Sequence, residues 1–175
     1  MRIRESVRLL VGFTVAGVVG SCGGEASGPN AGGPNAGGET IVGNYLVSAD
    51  GLTVTDTTTK LVWQRDGSGP RAGCGSEGSL ICTWYEAEAY CAGLNLAGYL
   101  DWRLPTKDEL LYIVDKTVAE PPTINQTAFP NTPVTWFWSS SPYDDSSANA
   151  WSVSFHFGFS GYLDVGYYVR VRCVH

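Results

Sequence analysis

Charge is scarce in this sequence: Asp, Glu, Lys and Arg make up 16% of 175 residues, where about a quarter is usual. Cations are the scarcer sign, with 11 Lys and Arg against 17 Asp and Glu, for a net charge of −6. Nucleic-acid binders carry a basic face, so no nucleic-acid partner is expected. No Cys-x-x-Cys pair occurs, which removes the spacing of both a zinc site and a redox pair, and no metal or cofactor is expected. No long apolar run occurs either: the uncharged stretch Leu9–Gly20 has twelve residues. As a helix it would rise about 18 Å, short of a bilayer core of roughly 30 Å. What is abundant is glycine, 22 residues, and aromatics, 12%, within a 43% apolar chain. That composition supports one packed domain built from turns and strands rather than a helical bundle.

The N-terminus reads as a signal. Arg2, Arg4 and Arg8, with Glu5, precede the uncharged run, as a basic segment precedes a secretory one. The run ends Val19-Gly20-Ser21-Cys22, which resembles a bacterial lipobox. The reading is a signal peptide over 1–21 and lipidation at Cys22. Membrane contact is then through that lipid alone, in the bacterial cell envelope, at the outer membrane or cell surface. The mature chain would hold 8 basic and 16 acidic residues, so polyanions are repelled on average. Residues 22–40 repeat Gly-Pro-Asn-Ala-Gly at 28–32 and 33–37. Almost nothing there is apolar, so they are read as a flexible tether. The domain is expected over 41–175.

Four cysteines remain after Cys22: Cys74, Cys82, Cys91 and Cys173. An even count behind a secretory signal implies two disulfides, with three possible connectivities. The preferred one pairs Cys74 with Cys82, across a Gly/Ser-rich loop, and Cys91 with Cys173, a helix with the C-terminal strand.

Strands are expected at 41–47, 52–55 and 61–64, with a turn at Ala49-Asp50-Gly51. Thr83 and Glu86 make a capping box for a first helix that Gly98 would end, and Trp84, Ala87, Cys91 and Leu94 share one face. Thr106 and Glu109 make a second box, for a helix ending near Asp115. Residues 116–133 hold four prolines and are expected to be irregular. From Trp151 to Phe159 the odd positions are apolar or aromatic, which predicts a half-buried strand. A turn at Ser160-Gly161 and a return strand over 167–174 would follow. Strands at both ends around two helices define an α+β class with the chain ends in one sheet.

Several segments together resemble the Lcl C-terminal domain family: VTDTTTKLVWQ (54–64), TWYEAEAYCAGLNLAGYLDWRLPTKDELLYIVD (83–115), INQTAFPNT (124–132), WSSSP (138–142), AWSVSFHFG (150–158) and VRVRCV (169–174). The most specific piece is DWRLPT. One departure is Lys60, where the family usually has Gly, which questions the tightness of the turn before Leu61. The resemblance implies a C-type-lectin-like fold, two helices on small curved antiparallel sheets with close termini. Cys91–Cys173 would match the helix-to-last-strand bridge of such domains. RLPTKDEL and RVRC are also similar to segments of formylglycine-generating enzymes. That chemistry needs a reactive cysteine pair five apart, which is absent, so no enzymatic activity is expected.

The expected function is a non-catalytic binding or adhesion module for a glycan or another surface protein. Sugars stack their apolar faces on aromatic rings, and Trp136, Trp138, Trp151, Tyr143, Tyr162, Tyr167 and Tyr168 supply rings. The three tryptophans fall in buried phases and are expected in the core. Tyr143, beside Asp144 and Asp145, and Tyr162, near a turn, are the better surface candidates, with His156 on an exposed phase. The sugar-binding calcium motifs of lectin-like domains are not matched: Glu120-Pro121-Pro122 lacks the Asn of Glu-Pro-Asn, and Asn149-Ala150-Trp151 does not supply Trp-Asn-Asp. Within DWRLPT, Asp101 and Arg103 are expected to be partly buried, with Trp102 and Pro105. There Arg103 acts as a structural ion pair or carbonyl brace rather than an anion clamp.

Overall fold

The computed structural model describes residues 38–66, 74, 81–144 and 147–175. Cys22 and Asp145, with the expectations attached to them, lie outside these residues. The described chain is an α+β domain with two sheets and two short helices. No described helix is long and apolar enough to cross a membrane.

The first sheet is a meander of β1 (Thr40–Val42), β2 (Tyr45–Val47), β3 (Thr53–Asp56) and β4 (Val62–Gln64), paired antiparallel in chain order. The single strand expected at 41–47 is a hairpin, because Gly43 takes a positive φ of 58° that reverses the chain. Lys60 sits at φ 67°, a backbone position that suits Gly. The turn is nevertheless tight: the Lys60 amide donates to the Asp56 carbonyl at 2.9 Å. The Asp56 carboxylate accepts the Thr58 and Thr59 amides, an Asx turn that holds the loop without glycine. The chain end joins this sheet beyond β4, where Val62 and His175 exchange backbone hydrogen bonds. N- and C-terminal segments therefore share one sheet, at opposite edges, four strand spacings or about 19 Å apart.

The second sheet has the order β5 (Ile81–Cys82), β9 (Val169–Arg170), β6 (Trp136–Pro142), β7 (Asn149–Ser154) and β8 (Phe159–Asp164). All its pairs are antiparallel except β6 with β9. Here the sequence expectations fail in detail. The strand expected to reach Phe159 ends at Ser154, and the reversal falls at 155–158 rather than Ser160-Gly161. Ser154 Oγ accepts the His156 and Phe157 amides, and Gly158 supplies φ 71°. Ser160 and Gly161 lie inside β8, which the sequence reading missed. The return strand expected over 167–174 is reduced to two residues in this sheet, because beyond Arg170 the chain passes to the first sheet, where the Cys173 carbonyl accepts the Gln64 amide. Arg172, which alternates with Val171 and Cys173 in this segment, is fully buried, as they are.

Both capping boxes form. Thr83 starts α1 (Trp84–Ala92) and Thr106 starts α2 (Lys107–Tyr112), each with its glutamate answering the cap amide. Both helices are shorter than expected: α1 ends at Gly93 instead of Gly98, and α2 at Ile113. Residues 116–133 carry no helix or strand. Side chains alternate across the second sheet, so its two faces feed two cores. Trp138 and Ala150 join Ala87 and Cys91 of α1. Phe137 and Val153 join Leu110 of α2 and Trp63 of the first sheet. The disulfides are Cys74–Cys82 and Cys91–Cys173, as preferred from the sequence.

Candidate functional site

The site begins with the DWRLPT segment, which acts as a brace. Trp102 is buried and its indole N–H donates to the Leu96 carbonyl at 3.3 Å. Arg103 exchanges backbone hydrogen bonds with Val174. The Pro105 carbonyl accepts the Ser140 amide at 2.8 Å, and the Lys107 amide donates to Ser141 Oγ at 3.0 Å. The motif thus ties the start of α2 to the end of β6. Arg103 is the structural pair expected: its guanidinium grips both Glu109 oxygens, at 2.6 and 2.8 Å. Asp101, expected to be partly buried, instead projects into solvent and pairs with His175 at 2.7 Å. The reason is positional, since it precedes the buried Trp102 in an extended segment and faces the opposite way.

Glu109 also accepts the Thr106 amide. Its hydrogen bond from Arg103, the largest influence, holds its pKa below the usual 4.5 against an opposing effect of burial. Glu109→Gln keeps an acceptor for the Thr106 cap amide but removes the charge and one of the two oxygens that Arg103 grips. The expected loss at neutral pH is about 0.5–1 kcal/mol, because Arg103 is half exposed to solvent. A depressed folded pKa gives stability that is complete above the unfolded pKa and lost as pH falls through the folded value. The difference in melting temperature between parent and Glu109→Gln should therefore begin to shrink as pH drops below 4.5 and be lost only below the lowered folded value. A difference that persists unchanged at pH 2–3 would contradict the ion-pair account.

The brace aims one face of the second sheet outward. β6 is bulged between Trp138 and Pro142, so Pro142 pairs with Ala150 and Tyr143 falls opposite Asn149. Strand alternation then places Tyr143, Asn149, Trp151, Tyr162 and Asp164 on one face, with Trp151 directly across from Tyr162. The Tyr143 and Tyr162 rings stack with centroids 3.9 Å apart and planes 19° apart. Trp151 meets Tyr143 edge-on at 5.0 Å. Lys107, delivered by α2, places its ammonium 4.6 Å from the centroid of the Trp151 ring. The outer Tyr162 ring is 53% exposed, leaving an aromatic surface free. Desolvation raises the Tyr143 hydroxyl pKa first, and the Asp144 charge and Tyr162 add to it. The phenol therefore stays a hydrogen-bond donor beside the acceptor Asp144.

Two of the candidates named from the sequence, Tyr143 and Tyr162, thus come together, with Asp144 at their edge. His156 does not join them. It lies exposed in the β7–β8 turn, stacked on Phe157 at 4.2 Å. Lys107 is the member the sequence reading missed, and Trp151, expected in the core, joins the cluster instead. Trp151 is in phase with Val153 but only half-buried, because α2 covers the sheet unevenly. Trp138 is buried as expected and Trp136 half-buried. Among the described residues no three His, Cys, Asp or Glu side chains converge as a metal site would require.

The described residues thus define an α+β domain of two small sheets, two capped helices and two disulfides, with an aromatic cluster on one sheet face. Residues 52–175 match the model of the Lcl C-terminal domain. The chain belongs to that family, which points to a secreted or surface-displayed domain. No curated protein matches the chain.

Proposed function

We propose that the protein is a lipid-anchored bacterial envelope protein whose lectin-like domain is a non-catalytic binding module. The ligand fitting its geometry best is a glycan that stacks on Tyr162. The carrying observation is the Tyr143–Tyr162 stack with Trp151 edge-on and one ring face open to solvent. Pyranose rings present C–H faces that pack on such surfaces, and Asp144 and the Tyr143 hydroxyl offer an acceptor and a donor to sugar hydroxyls. A non-catalytic role is supported by the pairing of Cys74, Cys82, Cys91 and Cys173 in disulfides, which leaves none of the four as the reactive thiol that formylglycine chemistry requires.

The test is a glycan array probed with the folded chain, run in duplicate with and without EDTA. Sugar hits of equal intensity in both arms are expected, since among the described residues no three His, Cys, Asp or Glu side chains converge as a metal site would require. A signal abolished by EDTA and restored by calcium would show that metal-ligating groups had been misjudged. Silence on the array, with a protein captured from the cell surface instead, would replace the glycan by a protein ligand.

A further inference from the structure

A second aromatic surface lies apart from the Tyr143–Tyr162 stack, at the tip of the β7–β8 hairpin. His156 stacks on Phe157, Phe157 on Phe159 at 5.4 Å, and Phe159 meets the Trp136 edge at 5.8 Å. Phe157 and Phe159 are 58% and 51% exposed. Beyond Trp136 the stripe continues across a groove of about 370 Å³ to Tyr168, itself 63% exposed. The seat of Trp136 is specific. A Cβ on Gly161 would stand 2.8 Å from the indole Cη2, so only glycine lets the ring lie there. Contiguous exposed aromatics are disfavoured in water and mark a surface with a partner.

We propose that this stripe is a membrane-facing surface that seats in the interfacial region of a lipid bilayer. Its charge favours that occupant: among the described residues the ionisable side chains of the stripe and groove are His156, Tyr168 and Arg170, with no carboxylate, in a chain of net charge −6. Lipid phosphates repel carboxylates and tolerate or attract cations, and Trp, Tyr and Phe rings partition into the headgroup boundary. A hairpin tip is also the geometry that lets a few rings enter a bilayer while the sheet stays outside. The inference rests on the reading of the protein as held at an envelope membrane, where a tether keeps the local lipid concentration high.

The test supplies the tether artificially. A hexahistidine tag replaces residues 1–22, leaving the compact unit Asn35–His175 intact. The chain is captured on phosphatidylcholine vesicles containing nickel-chelating lipid and acyl-brominated phosphatidylcholine. Bromines quench tryptophans that enter the interface. Quenching is expected in the parent, lost in Trp136→Phe, and reduced at least about threefold in Phe157→Ser/Phe159→Ser. Melting curves confirm that both variants are folded. Three results would each overturn the proposal: a captured parent that is not quenched, a double variant quenched like the parent, or a parent that is dimeric in solution and dissociated by the double substitution. The last would make a second copy the occupant. Since the tag replaces the lipid, the outcome does not depend on whether Cys22 is modified.

Discussion

Replacing Cys91 and Cys173 together by alanine should cost the domain about 4–5 kcal/mol, comparable to the whole stability of a modest domain. The bridge closes a separation of 82 residues and joins α1 to the segment that pairs with β4. A crosslink of that length strongly restricts the unfolded chain. Both cysteines are fully buried among Trp138, Val171 and Tyr90, so the smaller side chains also leave voids. Replacing Cys74 and Cys82, separated by 8, should cost about 2–3 kcal/mol. Urea denaturation of the two double variants measures the order directly. Equal losses, or a larger loss for the short loop, would contradict the account.

Arg172 carries the second large effect. Its guanidinium lies between the rings of Phe129 and Phe137, 4.8 and 5.7 Å from their centroids. Nη2 donates to Thr132 Oγ1 at 2.9 Å, while Nε and Nη1 have no hydrogen-bond partner among the described residues. Burial pushes its pKa down to about 9 from 12.5, against the opposing pull of Asp66. A charge so placed is disfavoured, and a well-packed apolar residue of similar length removes the penalty. Arg172→Met is therefore expected to match the parent or exceed it by about 1–3 kcal/mol. Arg172→Ala removes the packing between the two rings as well and should lose about 2–4 kcal/mol. The sign of the pH effect follows: a lowered folded pKa in a cation penalises the folded state at neutral pH and relieves it as pH rises above about 9. The advantage of Arg172→Met should shrink over that range. If methionine proves as damaging as alanine, the charge itself is stabilising and the argument fails.

These two cases also mark what the sequence could reveal. The disulfides follow from four cysteines and their places on recognisable elements. Both helix starts follow from local chemistry, since Thr83 with Glu86 and Thr106 with Glu109 satisfy one another without help from the rest of the fold. Arg172 does not follow. Its neighbours alternate as a surface strand would, and it is covered by Phe129 and Thr132 of the irregular 116–133 segment together with Phe137 of β6. β8 was hidden for a related reason. Ser154-x-x-x-Gly158 makes the reversal, but the aromatic alternation runs straight through it, because Phe157 and Phe159 remain exposed rather than entering a core. The Ser154 hydroxyl before the glycine was the signal available. In the candidate site, Tyr143 is singled out by the sequence as a neighbour of Asp144 and Asp145, and Tyr162 as a neighbour of an expected turn at Ser160-Gly161 that lies instead inside β8. Their meeting depends on the β6 bulge and on the β7–β8 register, which set a side chain's face only once the strands are paired. Lys107 reaches Trp151 only because the Pro105–Ser140 and Lys107–Ser141 hydrogen bonds fix α2 against β6.

The central claim is that the Tyr143–Tyr162 stack holds the ligand. It is tested most directly by probing one glycan array with the parent chain and with Tyr143→Ala/Tyr162→Ala, after melting curves show both to be folded. The account predicts sugar hits for the parent that weaken at least about tenfold in the double variant. Hits of unchanged strength in a folded variant lacking both rings would place the binding surface elsewhere on the domain and contradict it.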